Sequence, residues 1–214
     1  MNYQSLSIWF GMVKNFLKLQ LFIVLLASGS ILNADPYSLA TVSQYLTNLK
    51  LLKANFSQFN ADGTTSSGVI LIKRPGRMRF EYYKPDKTLV LVSAGALAIF
   101  DPKGDEAPIT YPIKNNPISL ILKSEVNLLN SGIVENYKVS NEEAILTIRD
   151  PKKPERGSVE LVFTGVKAEL AKFTVKNENG SSTSLFLEDI EYPQKINETL
   201  FSIPLETNKR LKEK

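Results

Sequence analysis

Apolar residues recur at helical spacing only near the start of the globular region. Leu39, Val42, Tyr45 or Leu46, and Leu49 form one stripe of period 3.6. Asp35-Pro36 opens that helix, with Asp as N-cap and Pro at the first helical position. After Leu52 the period drops to two. Ala54, Phe56 and Gln58 alternate with Asn55, Ser57 and Phe59, and Asp62-Gly63 marks a hairpin turn. Residues 68–73 carry a β-branched run. Met78, Phe80 and Tyr82 alternate strictly with Arg77, Arg79 and Glu81, so one face of that strand is apolar and the other charged. Residues 89–92 are apolar on both faces, which predicts a covered central strand.

The pattern lapses over 101–117, where Pro102, Pro108, Pro112 and Pro117 predict a long loop. Asn116-Pro117 then starts a short helix with Ile118, Ile121 and Leu122 on one side, and a second short helix over 125–130 ends at Gly132. Strands return over 134–140, 143–149, 158–163, 170–176 and 183–190, with a last short one near 201–203. The turns between them recur at the spacing of a sheet that is strongly curved or closed into a barrel. Consecutive hairpins imply one antiparallel sheet of about 11 strands, a mainly β fold with some α. The mid-chain helices are placed to cover its concave side. If that side carries large apolar side chains, the product is a lined cavity rather than a filled core.

Composition narrows the class. The 214 residues suffice for one domain and a targeting segment. Residues 1–34 have the pattern of a secretory signal: Lys14 and Lys18 ahead of an apolar run over 19–27, then Leu32-Asn33-Ala34 as a cleavage tripeptide. The expected division is a signal peptide over 1–34 and a single domain over 35–214. The segment holds the sole tryptophan, Trp9, and no acid. A formal charge of +4, with bases and acids interleaved, lacks the basic stripe of a nucleic-acid binder. The chain has no cysteine, so it lacks the residue on which bacterial lipoproteins are acylated. It also has no histidine, which removes Ser-His-Asp and Cys-His catalysis and His-ligated zinc. Carboxylate pairs such as Glu142-Glu143 and Glu188-Asp189 fall at turns and strand edges, where solvation is the simpler role. No enzyme, metal or cofactor is expected.

The stretch Arg74-Pro75-Gly76-Arg77-Met78-Arg79-Phe80-Glu81-Tyr82, followed by Pro85, resembles the signature of the outer-membrane lipoprotein carrier family (LolA). Phe56-Ser57-Gln58 matches that family's Phe-x-Gln. Val92-Ser93-Ala94-Gly95 and Phe100-Asp101-Pro102 match its Val-Ser-Asp-Gly and Tyr-Asp-Pro, and Phe201-x-x-Pro204 fits near the C-terminus. Met78 and Phe80 stand where the family often has Phe and Trp, and Ala94 replaces an acid. The resemblance implies a half-open barrel with a lid of about three helices over a hydrophobic cavity. It further implies a periplasmic monomer that collects acylated lipoproteins from an inner-membrane lipoprotein-releasing ABC transporter and carries them to the outer membrane, often to a membrane-anchored receptor. No cofactor is implied.

On this resemblance Phe56, Leu71, Met78, Phe80, Tyr82 and Leu91, with the lid residues Ile118, Ile121 and Leu122, are the candidate lipid-lining positions. From the pattern alone these residues equally describe an ordinary packed core. An exposed acyl chain costs about 0.8 kcal/mol per methylene, or ~12 kcal/mol for fifteen, so a carrier must supply a dry apolar surface without holding too tightly. Arg74 carries five donors in a fixed fork, able to hold several carbonyls at once. At the matching position the family uses Arg to keep the lid closed; a solvated Arg at a strand end is the alternative. Arg77, Arg79, Lys84 and Lys87 form either a basic rim or a solvated face. Two other functions remain open at this point: a related periplasmic barrel for another lipid or glycolipid, and a structural envelope protein with a filled core.

Overall fold

A computed structural model describes residues 35–102 and 107–212. Residues 35–214 form one compact unit, and the predicted signal segment lies outside the described residues. A single antiparallel sheet dominates. Its strands are β1 (Leu51–Asn60), β2 (Thr65–Lys73), β3 (Arg77–Tyr82), β4 (Leu89–Ser93), β5 (Ala96–Phe100), β6 (Ile109–Pro112), β7 (Val134–Val139), β8 (Glu143–Arg149), β9 (Ser158–Thr164), β10 (Glu169–Lys176) and β11 (Ser182–Glu191). Their order is β6-β5-β4-β3-β2-β1-β11-β10-β9-β8-β7. Two hairpin series therefore meet where β1 pairs with β11, and the sheet does not close into a barrel: β6 and β7 are its two edges. These edges are consecutive in the chain, so the segment joining them must cross the sheet.

The strand count agrees with the sequence pattern, but its distribution differs. The proline-rich stretch contains an edge strand, β6, where Pro112 can sit because an edge has a free side. The strand expected near 201–203 is instead a 3-10 turn, Glu198–Phe201, running into helix α2 (Ile203–Lys212). Helix α1 (Leu39–Asn48) begins three residues later than Asp35-Pro36 suggested. Ser38 is its N-cap, accepting from the Thr41 amide at 3.1 Å, while Asp35 closes the preceding turn through the Tyr37 amide. In the crossing segment Pro117–Leu120 is a 3-10 turn capped by Asn116, as expected in place, but 125–130 is irregular rather than helical.

Register assigns each residue a face. Leu52, Ile72, Met78, Val92 and Leu97 lie in one row across β1 to β5, and Ala54, Ile70, Phe80 and Val90 lie in the next. This inner face continues through Leu187, Phe173, Leu161 and Leu146 on the other half. Helix α1 and the crossing segment pack on it, giving one contiguous apolar cluster.

A second, smaller core lies on the outer face, where Leu89, Leu91, Ala98 and Phe100 are buried with Ile203 of α2 packed against them. Beside it Arg79 is buried. It donates to Glu81 at 2.6 Å and to the Leu200 carbonyl at 2.8 Å, with Glu206 of α2 at 3.8 Å. Arg77 pairs with Glu198. These two arginines thus fasten the C-terminal segment and leave no basic rim along β3.

Candidate lipid-facing site beneath the lid

Phe56, Met78, Phe80 and Tyr82 come together on the inner face. Gly68, opposite both Phe56 and Tyr82, gives the Phe56 ring room: a Cβ there would lie 2.9 Å from the ring and 2.1 Å from the Glu81 carbonyl oxygen. The ring meets Phe80 and Tyr82 edge to face, with centroids 5.7 and 5.1 Å away. Met78 is fully buried; Phe80 and Tyr82 are partly open. Tyr82 ends the apolar row with a polar tip. Its hydroxyl donates to Gln58 at 2.7 Å, and the Gln58 amide donates to Asn60 at 2.8 Å. Burial, with Asp86 nearby, pushes the Tyr82 phenol up to about 12.

Ile118, Ile121 and Leu122 belong to the crossing segment and are buried against this cluster, with Leu120, Val126 and Leu128, which the period-based reading passed over. The segment is stitched to α1: the Leu128 amide donates to buried Ser43 at 3.1 Å, and Thr47 to the Val126 carbonyl at 3.3 Å.

Leu71 and Leu91 are elsewhere. Register puts Leu71 opposite Lys53 and Arg79, and Arg79 opposite Leu91, so both leucines face outward. Leu71 sits half-buried on that face, and Leu91 is in the second core. Neither can line the inner face without moving every neighbour on its strand to the other side.

Beneath the lid, α1, the crossing segment and the inner face of the sheet bury their apolar side chains in one contiguous cluster. Two cavities open at the margins of the fold, the first touching this cluster at Leu49 and Tyr45. One of about 550 Å³ lies between the end of α1 and the segment after β11, and one of about 670 Å³ lies at the β1–β2 and β3–β4 turns. Part of the inner face is nevertheless left uncovered. Ile109 and Tyr111 of β6, which continue the rows of Ile99 and Leu97, are 60% and 53% exposed.

Arg74 closes the arrangement. It follows β2, and its buried guanidinium reaches three carbonyls on two elements. Nε donates to Lys123 of the crossing segment at 2.9 Å. Nη1 donates to Leu49 at 3.0 Å and also to Leu46, both at the end of α1. The adjoining backbone adds Arg74 N–H to the Lys50 carbonyl and Gly76 N–H to the Leu122 carbonyl. Nη2 is buried with no hydrogen-bond partner among the described residues, and burial holds the guanidinium pKa below its ordinary value.

A family model described as outer membrane lipoprotein carrier protein LolA matches residues 47–204. The chain belongs to the LolA family. A relative described as an outer-membrane lipoprotein carrier protein from Coxiella burnetii (strain CbuK_Q154) is 26% identical over 188 residues, covering 84% of this chain and 88% of the relative. One so described from Methylococcus capsulatus is 23% identical over 186 residues, covering 83% and 88%. A solved LolA superfamily protein from Nitrosomonas europaea has 11% identity and a TM-score of 0.42, covering 75% of this chain and 97% of its own. LolA membership makes this a lipoprotein-carrier protein in broad role and not an enzyme. Among the described residues no helix is long and apolar enough to cross a membrane.

Proposed function

We propose that this LolA-family chain is a periplasmic carrier, exported by the segment 1–34, that accepts acyl chains of lipoproteins between its inner face and the lid. Acyl chains would take the place of the lid's own side chains. Burying Ile118, Leu120, Ile121 and Leu122 contributes roughly 1.5–3 kcal/mol each. Four such side chains approach the ~12 kcal/mol needed to shelter one acyl chain. Exchange of lid for ligand is then close to balanced, which a carrier that must also release requires.

The observation that carries this reading is the Arg74 fork. One side chain ties both covering elements, α1 and the crossing segment, to the sheet margin. Breaking that tie loosens both, leaving the backbone bonds of Arg74 to Lys50 and of Gly76 to Leu122 at this margin. The partly open Phe80 and Tyr82, with exposed Ile109 and Tyr111, supply an apolar approach. Gln58 and the Tyr82 hydroxyl would meet the polar head of the cargo. On this reading the protein works as a monomer, loaded by an inner-membrane releasing ABC transporter and unloaded at the outer membrane, to a receptor where one exists.

The burial of the lid's side chains against the sheet favours one competing reading, an envelope protein whose sheet serves contacts only. The decisive experiment incubates the protein with inner-membrane vesicles carrying a triacylated lipoprotein and looks for a soluble complex. An apolar dye that enters the folded protein and is displaced by triacylated lipopeptide supports the carrier. A protein that takes up neither dye nor lipopeptide is the filled-core form.

A further inference from the structure

The outer face holds a trough that shares only Gln58 with the carrier reading. Phe186, Ser57 and Ser67 lie in one row across β11, β1 and β2, and the Tyr83 amide donates to the Ser67 carbonyl, so Tyr83 bounds the row on the β3 side. Phe59, two residues on from Ser57, meets Phe186 edge to face at 5.3 Å. These aromatic walls stand in water: Phe59 is 49% exposed, Phe186 40% and Tyr83 50%. Between Phe59 and Tyr83 is the cavity of about 670 Å³, floored by Ser57 and Ser67. That is the size of an ordinary small-molecule site.

We propose that this trough binds a saccharide. Its floor is made of short hydroxyls, so an acyl chain lying along it would leave Ser57 and Ser67 without hydrogen-bond partners beneath it. The hydroxyls of Ser57 and Ser67 make no hydrogen bond among the described residues and face the trough as free donors and acceptors. The lining carries two charges of opposite sign, Lys84 and Asp86, so the described lining has no net charge, and the Asp86 carboxylate accepts from the hydroxyls of Ser66 and Thr88. Backbone pairing along β1 is unavailable, since Ser57, Gln58 and Phe59 have a strand partner on each side, so a ligand over β1 must be held by side chains. Exposed aromatic rings that cover the C–H face of a pyranose, above short neutral hydroxyls that bond its rim, suit a neutral sugar.

The test is an amide-resolved NMR titration of the protein with chitotetraose, maltotetraose and, separately, decaproline. The expected result is that a tetrasaccharide at millimolar concentration shifts the amides of Ser57, Ser67 and Tyr83. Tyr83→Ala and Phe59→Ala should weaken it by about tenfold or more, with unchanged melting and unchanged apolar-dye uptake. The proposal is overturned if neither saccharide moves those amides, if the shifts persist in both variants, or if decaproline moves them more strongly than either sugar. Dye uptake reports the inner face separately, so failure here leaves the carrier reading untouched.

Discussion

The Arg74 guanidinium donates to the Leu49 carbonyl at 3.0 Å, and the same side chain reaches Lys123 at 2.9 Å, so one residue of the sheet margin holds both α1 and the lid. The tie is deliberately incomplete in energetic terms. Hydrogen bonds from a charged donor contribute about 1.5–3 kcal/mol each, but the buried, unpartnered Nη2 costs about 1–3 kcal/mol of that. The closed state is held by a small margin. Arg74→Leu should therefore fold yet lose lid control, raising amide hydrogen exchange over 118–128 by on the order of 100-fold. In a transfer assay it should accumulate in one liganded or unliganded state. Wild-type exchange and wild-type transfer in this variant would remove the role assigned to Arg74.

The two faces of the sheet predict opposite consequences for two neighbouring apolar residues. Leu91 is fully buried in the outer core, so Leu91→Ala should cost about 2–4 kcal/mol in urea denaturation and leave acyl-dye affinity unchanged. Phe80 is only partly buried on the inner face, against Phe56. Phe80→Ala should cost less stability and weaken dye binding by about tenfold. Equal effects of both variants on dye binding would show that the faces are wrongly divided.

Much of this was legible in the chain, for reasons particular to each element. Strict alternation in β3 put Met78, Phe80 and Tyr82 together because only one face could be apolar. Alternation says nothing inside a continuous apolar run, and residues 69–72 and 89–92 are such runs. Only their pairing with Lys53 and Arg79 shows that Leu71 and Leu91 point outward. Helix α2 was hidden for a different reason: its inward face is Ile203, Glu206, Thr207 and Arg210, while Leu205 and Leu211 are exposed. That inverts the usual apolar stripe, and it works because Glu206 meets Arg79, and because Arg210 lies over the Phe100 ring and donates to the Asp101 carbonyl. The Arg74 fork was legible only through the family resemblance, since its acceptors are backbone carbonyls that no side-chain pattern records.

Four phenols, Tyr45, Tyr82, Tyr137 and Tyr192, are held above their ordinary pKa, chiefly by burial, and the response to alkali follows from them. Tyr82 is pushed up to about 12 and Tyr45 higher still, in both cases chiefly by burial. A raised phenol pKa means the folded state keeps a proton that the unfolded state has lost. Stability is therefore fully present below pH 10 and falls as pH rises from about 10 towards 12 and beyond, by at most about 1.4 kcal/mol per unit for each phenol. Tyr82→Phe should flatten this fall in denaturation curves recorded across that window. An unchanged slope in the variant would mean that Tyr82 titrates as an ordinary exposed phenol.

The sharpest packing test is at Gly68. Its ordinary strand conformation gives no reason for glycine, so the requirement must come from its surroundings. A Cβ would sit 2.1 Å from the Glu81 carbonyl oxygen, which belongs to the neighbouring strand's backbone and cannot rotate aside. It would also press the Phe56 ring, which is already braced by Phe80 and Tyr82. Gly68→Ala must then either push β3 away from β2 or displace Phe56. Overpacking of this kind costs about 1–3 kcal/mol. Pairing Gly68→Ala with Phe56→Leu separates the two effects. If the ring is the obstacle, the double variant should regain most of the lost melting temperature. If the Glu81 carbonyl is the obstacle, as the shorter distance indicates, the two losses should add.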